Sequence, residues 1–276
     1  MVNRVFKSRG LGVLNNSYSP GAPAEPNPGD IVPDAPLVLE IWYDAATNEY
    51  FQPTNPSDGD GITQWNDLSA YAHNLNPVVG GPGGRPNYRT NQLNSLGALE
   101  FDGTDACSSN PATWLQNLTG ASMFIVSRFS NGSSGVIETQ AQTDCGDMGY
   151  GKNAANEYEL YMMTGQVGAM SATPTTPVGT DSSYHIQSII FDGTGATDAD
   201  RLKFRLDESD VPLTYTDPVP SAFGSICNSF IVGSDYQEEL GNQFTGFVAE
   251  LVFYSRTLTA SEISGLETYF ANKWAL

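Results

Sequence analysis

The residues best suited to chemistry in this chain are acidic and aromatic. Glu157-Tyr158-Glu159 places two carboxylates two positions apart, which on a strand puts them on one face. Two carboxyls about 5 Å apart are what a retaining glycosidase uses as nucleophile and acid. No third acidic residue completes such a set here, and like-charged neighbours on a strand more often form a solvated face. Only two histidines are present, His73 in a polar loop and His185 at the start of an apolar run. A Ser-His-Asp triad would have to recruit one of them. The sequence has no GxSxG, HExxH, Walker or GxGxxG pattern. The Gly80–Gly84 run leads into Arg85-Pro86 rather than a helix, so it is expected to be a loop and not a phosphate cradle. No catalytic residue is expected.

Two kinds of binding chemistry remain. Asp58-Gly59-Asp60-Gly61 is compact and oxygen-rich, and Asp144/Asp147 and Asp198/Asp200 are similar pairs. Calcium takes such carboxylates, so Asp58 and Asp60 are the candidate metal ligands, although none of these pairs matches a twelve-residue calcium loop. Sugar grooves set aromatic faces against apolar sugar edges and use polar side chains for hydroxyls. Tyr150, Tyr158, Tyr161 and Tyr236 lie in or beside polar segments and are the candidate ligand-binding residues. Trp42, Trp65, Trp114 and Trp274 sit in apolar contexts and are expected in the core.

These residues must be positioned by strands. The chain has 276 residues, with 28 Gly and 17 Pro and only 16% charged residues; this suits many short strands joined by turns. Net charge is −19. That argues against nucleic acid and anionic membranes as partners, and no run approaches the roughly 18 apolar residues of a membrane span. The three cysteines, Cys107, Cys145 and Cys227, have no CxxC spacing and are not a zinc pattern; three buried thiols are expected, with one disulfide and a free thiol as the alternative.

The C-terminus is the best-specified stretch. Phe247 to Tyr254 alternates, with Phe247, Ala249, Leu251 and Phe253 on one face and Val248, Glu250, Val252 and Tyr254 on the other. Both faces are largely apolar, so cover on two sides is expected. Thr259-Ala-Ser-Glu262 is a capping box, and Ile263, Leu266, Phe270 and Trp274 form the stripe of an amphipathic helix. Further strands are expected at 37–45, 62–68, 122–128, 136–139, 157–163, 185–192, 202–206 and 229–234. They predict an all-β, two-sheet antiparallel jelly-roll sandwich over residues 37–276, with a short C-terminal α-helix.

Gly246, Val248, Ala249, Glu250, Tyr254, Arg256, Leu258, Thr259 and Glu262, together with Trp65-Asn66-Asp67-Leu68-Ser69 and Leu99-Glu100-Phe101-Asp102-Gly103, resemble the signatures of laminin G-like domains in the concanavalin A-like lectin/glucanase superfamily. The resemblance implies a jelly roll in which these motifs are architectural, and it adds to the interest in calcium. The superfamily's glucanases carry an E-x-D-x-x-E strand, which is absent here.

Residues 1–36 differ from the rest. Arg4, Lys7 and Arg9 lie among Phe6, Leu11 and Leu14, followed by six prolines from Pro20 to Pro36. An extended arm is expected, with apolar anchors and basic residues that order on a partner. No apolar core of a secretory signal is present. This layout resembles virion proteins of tailed bacteriophages. It implies a non-enzymatic protein made in the host cytoplasm and held on the virion surface, as capsid decoration, head fibre or tail, with a lectin-like domain for cell-surface glycans. Its partners would be capsid or tail proteins, and a homo-oligomer is compatible. The alternative is a secreted glycan-active enzyme or carbohydrate-binding module.

Overall fold

The structure, a computed structural model, describes residues 26–78, 84–130, 136–140, 148–153, 155–163, 169–225, 229–234 and 243–276. The strands among them are β1 (Leu39–Asp44), β2 (Phe51–Gln52), β3 (Gln64–Trp65), β4 (Asn76–Pro77), β5 (Asn87–Leu93), β6 (Leu96–Asp102), β7 (Cys107–Ser109), β8 (Gly120–Phe129), β9 (Val136–Gln140), β10 (Met148–Lys152), β11 (Tyr158–Met163), β12 (Ala169–Pro174), β13 (His185–Asp192), β14 (Leu202–Leu206), β15 (Ser209–Val211), β16 (Leu213–Tyr215), β17 (Ser229–Val232) and β18 (Thr245–Tyr254). The first sheet runs β15-β14-β13-β8-β18-β6-β5, with β1 also on β18; the second runs β16-β12-β11-β10-β9-β17-β7-β4. Strand pairings in both are antiparallel. The two sheets enclose one core, with Ile125, Phe129, Leu251 and Phe253 from the first meeting Tyr150, Leu160, Met162 and Phe230 from the second. This is the all-β sandwich expected from the sequence.

β18 departs from simple alternation. Its register shifts between Val248 and Glu250 against β8, a β-bulge. Phe247 and Ala249 therefore share the outer face with Val252 and Tyr254, while Val248, Leu251 and Phe253 face between the sheets. The extra residue exchanges the two faces predicted by strict period two. The bulge coincides with a change of neighbour: β6 pairs with Thr245–Val248 and β1 with Glu250–Tyr254.

The outer face of the first sheet is covered by α4 (Ala260–Trp274), whose N-cap is Thr259 in a complete capping box with Glu262. Leu266, Phe270 and Trp274 are buried there against Phe124, Val126 and Val252. Two single helical turns, α1 (Pro28–Ile31) and α2 (Ala35–Val38), pack beside it. Val32 is fully buried, and the Tyr254 hydroxyl donates to the Pro28 carbonyl at 3.0 Å. The packing is close at Gly265: an added Cβ would lie 2.9 Å from Ile31 Cγ2 and would displace that side chain. The sequence-based boundary at Pro36 thus divides a docked segment. Residues 28–36 are not an extended spacer, because Val32 and Ala35 reach the apolar groove beside α4.

Two other expectations change. The 62–68 strand contracts to Gln64–Trp65, paired with β2 in a separate ribbon. Asp67 ends it: its carboxylate accepts from the backbone N–H groups of Trp42 (2.8 Å), Ser69 (2.9 Å) and His73 (2.8 Å). The first strand begins at Leu39, after α2.

Candidate binding face

The outer face of the second sheet is built by period two. On β11, Tyr158, Leu160 and Met162 belong to the core between the sheets, so Glu159 and Tyr161 face outward. On β12, Met170 and Ala172 face inward, which leaves Ser171 and Thr173 outward. Tyr161 lies opposite Ser171 on one side and Gly149 on the other, and Glu159 lies opposite Gly151. No side chain from β10 therefore flanks the Tyr161 ring or the Glu159 carboxylate. The Tyr161 hydroxyl donates to Glu159 Oε2 at 2.7 Å, and Ser171 Oγ donates to Oε1 at 2.6 Å. The Ser171 backbone N–H donates to Thr216 Oγ1 at 2.9 Å. Glu159, Tyr161, Ser171 and Thr173 are half-buried, and Thr214 and Thr216 are exposed. The result is an aromatic ring fixed by its own hydroxyl, a carboxylate with both oxygens engaged, and a row of hydroxyls beside them. Such a surface can lay a ring against an apolar ligand edge and exchange hydrogen bonds with ligand hydroxyls.

The four tyrosines named from the sequence separate. Tyr161 is on this face. Tyr150 and Tyr158 are not: both are buried between the sheets, stacked at 5.6 Å and packed around Phe129 and Phe204. Burial raises both phenol pKa values. Parity explains this, because Tyr158 shares its face with Leu160 and Met162, and Tyr150 is the register partner of Leu160. Tyr236 lies outside the described residues, as do Arg4, Phe6, Lys7, Arg9, Leu11 and Leu14 of the arm, Asp144 and Asp147, and Cys145 and Cys227. Cys107 is a buried free thiol.

The metal candidates are occupied by the protein itself. Asp58 Oδ1 accepts from the Thr90 backbone at 2.8 Å and from its hydroxyl at 3.2 Å, and Arg89 Nη1 lies 3.8 Å from Oδ2. Asp60 Oδ2 accepts from the Ser57 N–H at 2.8 Å. These carboxylates close a loop onto β5. Asp200 caps the single helical turn α3 (Asp198–Arg201) and Asp198 accepts from the Val219 N–H. Among the described residues, no group of three or more His, Cys, Asp or Glu side chains is arranged to hold a metal ion.

Other polar clusters hold the architecture together. Glu250 is fully buried and accepts from Trp42 Nε1 (2.7 Å), Tyr269 OH (2.8 Å), Lys273 Nζ (2.7 Å) and Trp274 Nε1 (2.8 Å). Glu267 receives Arg205 through two nitrogens and the Ser188 hydroxyl. Both fasten α4 to the first sheet. Glu157, the other half of the carboxylate pair, precedes β11 and lies within 3.4 Å of the Asn153 amide. One exposed ring was not singled out by sequence: Tyr71, 42% exposed, stacks on His73 at 5.7 Å, which stacks on Trp114 at 5.2 Å. Sequence reasoning also missed Ser171, Thr173 and Thr214, because short polar strands carry little periodic signal.

No family model and no curated protein sequence matches the chain. Solved structures do. Domain 4 of AbnA, a GH43 extracellular arabinanase from Geobacillus stearothermophilus solved in complex with arabinotriose, is similar with a TM-score of 0.60 at 14% identity, covering 83% of this chain and 98% of that one. The binding domain of botulinum neurotoxin DC in complex with SialylT gives a TM-score of 0.54 at 9% identity. That of serotype D gives 0.55 at 10%. The alignments cover 85% and 86% of this chain and 52% of each toxin chain. At these identities the likeness is one of fold.

Proposed function

We propose that this chain is a non-enzymatic glycan-binding sandwich that uses the outer face of its second sheet. The observation that carries the reading is the outward Tyr161 ring, held by Glu159 and flanked by the Ser171 and Thr173 hydroxyls, with only glycines opposite on β10. A flat ring beside fixed hydroxyl and carboxylate groups is what a sugar needs, since its ring carries one apolar edge and many hydroxyls. The likeness in fold to one domain solved with arabinotriose and another solved with SialylT supports a sugar as the ligand class. Glu159 is committed to two neighbouring hydroxyls, which favours binding over hydrolysis. A glycan array probed with the full chain, followed by a reducing-end assay on each bound glycan, tests this. Retention of a defined glycan class without release of reducing ends is expected. Turnover of a bound glycan would make the protein an enzyme, and an empty array would end the glycan reading.

The setting we propose rests on the sequence layout: a phage virion surface, reached from the host cytoplasm, with attachment to capsid or tail through the N-terminal arm. Deleting residues 1–19 is expected to leave circular dichroism and melting unchanged while abolishing co-sedimentation with particles. Loading at wild-type occupancy would place attachment in the sandwich instead.

A further inference from the structure

Among the described residues, the basic side chains avoid the proposed binding face. Between Arg128 and Arg201 the sole Lys or Arg is Lys152, and between Arg205 and Arg256 there is none. Those two stretches supply β9, β10, β11, β12, β16 and β17 together with the segments joining β9 to β12. The absence of cations is a property of the sequence there, so it holds wherever those segments lie. Lys152 itself is buried, donates to the Gly179 carbonyl, and sits over the rings of Phe129 and Tyr158. It points into the core, away from Tyr161. The cations elsewhere are largely committed: Arg89 to Glu100, Arg205 to Glu267 and Asp210, Arg256 to Asp34 and Glu262, and Lys273 to Asp44 and Glu250. Arg85 precedes β5 of the first sheet, next to Gly84, which bridges to Asp105 just ahead of β7, and Lys203 lies on β14 of the first sheet. The face itself presents the Glu159 carboxylate.

We infer that this face selects neutral, hydroxyl-rich glycans and discriminates against sialylated or uronic-acid ones. The inference rests on the glycan-binding reading above and names its substrate class. A carboxylate on the ligand would meet Glu159 with no cation among the described residues to pair it, within a molecule of net charge −19. An uncompensated like charge is a device of specificity, since it penalises the wrong partner more than it helps the right one.

The test uses the full chain on an array where galactose-terminated oligosaccharides are printed with and without a sialic-acid cap, beside arabino-, xylo- and gluco-oligosaccharides. Binding is read at 10 mM and 1 M NaCl, where charges are screened over about 30 Å and about 3 Å. The expected result is retention of neutral glycans, with at least tenfold weaker binding of any sialylated partner at low salt and a smaller gap at high salt. Thr214→Lys, at an exposed position on this face, is expected to narrow the gap, and Lys203→Glu on the other sheet to leave it unchanged. Equal or tighter binding of sialylated glycans at low salt overturns the inference while leaving glycan binding intact. Binding of no glycan at all overturns both.

Discussion

Glu250 has no solvent contact and accepts four hydrogen bonds from Trp42, Tyr269, Lys273 and Trp274. Burial pushes its carboxyl pKa up, and the Lys273 ammonium opposes that shift. Removing one partner of such a buried ion pair leaves the rest uncompensated, so Glu250→Ala is expected to cost about 3 kcal/mol or more in urea unfolding. A loss below about 1 kcal/mol, the scale of an exposed pair, would mean that the cluster does not hold α4. The acidic loops make the opposite expectation. Since Asp58 and Asp60 are turned to Thr90 and Ser57, EDTA and added calcium are expected to leave the melting temperature unchanged; a calcium-dependent rise would show a native-state ligand. At this scale the sequence was legible through parity. The Y-E-L-Y-M-M run of β11 already assigns Tyr158 to the side of Leu160 and Met162 and Tyr161 to the side of Glu159. What parity could not supply was the register that brings Ser171 onto the same carboxylate, because that depends on a pairing between strands.

α4 was fully legible as an element, because capping box and apolar stripe agree. Thr259→Ala is expected to cost about 1 kcal/mol, and Trp274→Ala roughly 3 kcal/mol or more, through lost packing and a vacated donor to Glu250. Equal, negligible shifts in melting would mean that the helix is undocked. Less legible were β10, with the sequence MGYGK, and the polar β5 and β12, whose strand character comes from their neighbours rather than from their own pattern. The turns α1 and α2 were hidden by their prolines, yet Arg256 joins Asp34 of this segment to Glu262 of α4. That arrangement sets an acid limb. Arg256 holds the Glu262 carboxyl down to about 2, so its contribution is present above the ordinary carboxylate range and is lost as pH falls towards 2. His185, bonded to Asp207 and Asp181, has its pKa raised. Its contribution is complete below the ordinary imidazole value and is lost as pH rises through the raised one. Melting profiles are therefore expected to decline on both sides of about pH 5–6. His185→Asn should flatten the alkaline side, and Glu262→Gln the acid side; an unchanged alkaline decline in the histidine variant would assign it elsewhere.

For the whole molecule, the two sheets have different duties. The first packs one face on the second sheet and carries α4 with α1 and α2 on the other. The second sets Glu159, Tyr161, Ser171 and Thr173 on its outer face, where we place the function. Truncation tests where the folded unit begins: removal of residues 1–25 is expected to leave melting unchanged, whereas removal through Pro36 should lower it, since Val32 and Ala35 then leave the groove beside α4. The central claim is that Tyr161 is the ligand platform, and calorimetric titration of the best-retained neutral glycan into the wild-type chain, Tyr161→Ala and Tyr71→Ala tests it most directly. Loss of one hot-spot ring costs about 2 kcal/mol, or roughly 30-fold in affinity. Tyr161→Ala is expected to lose at least that much with its melting temperature preserved, while Tyr71→Ala binds as the wild type does. Full affinity in Tyr161→Ala, or a loss that follows Tyr71 instead, would contradict the assignment of the binding face.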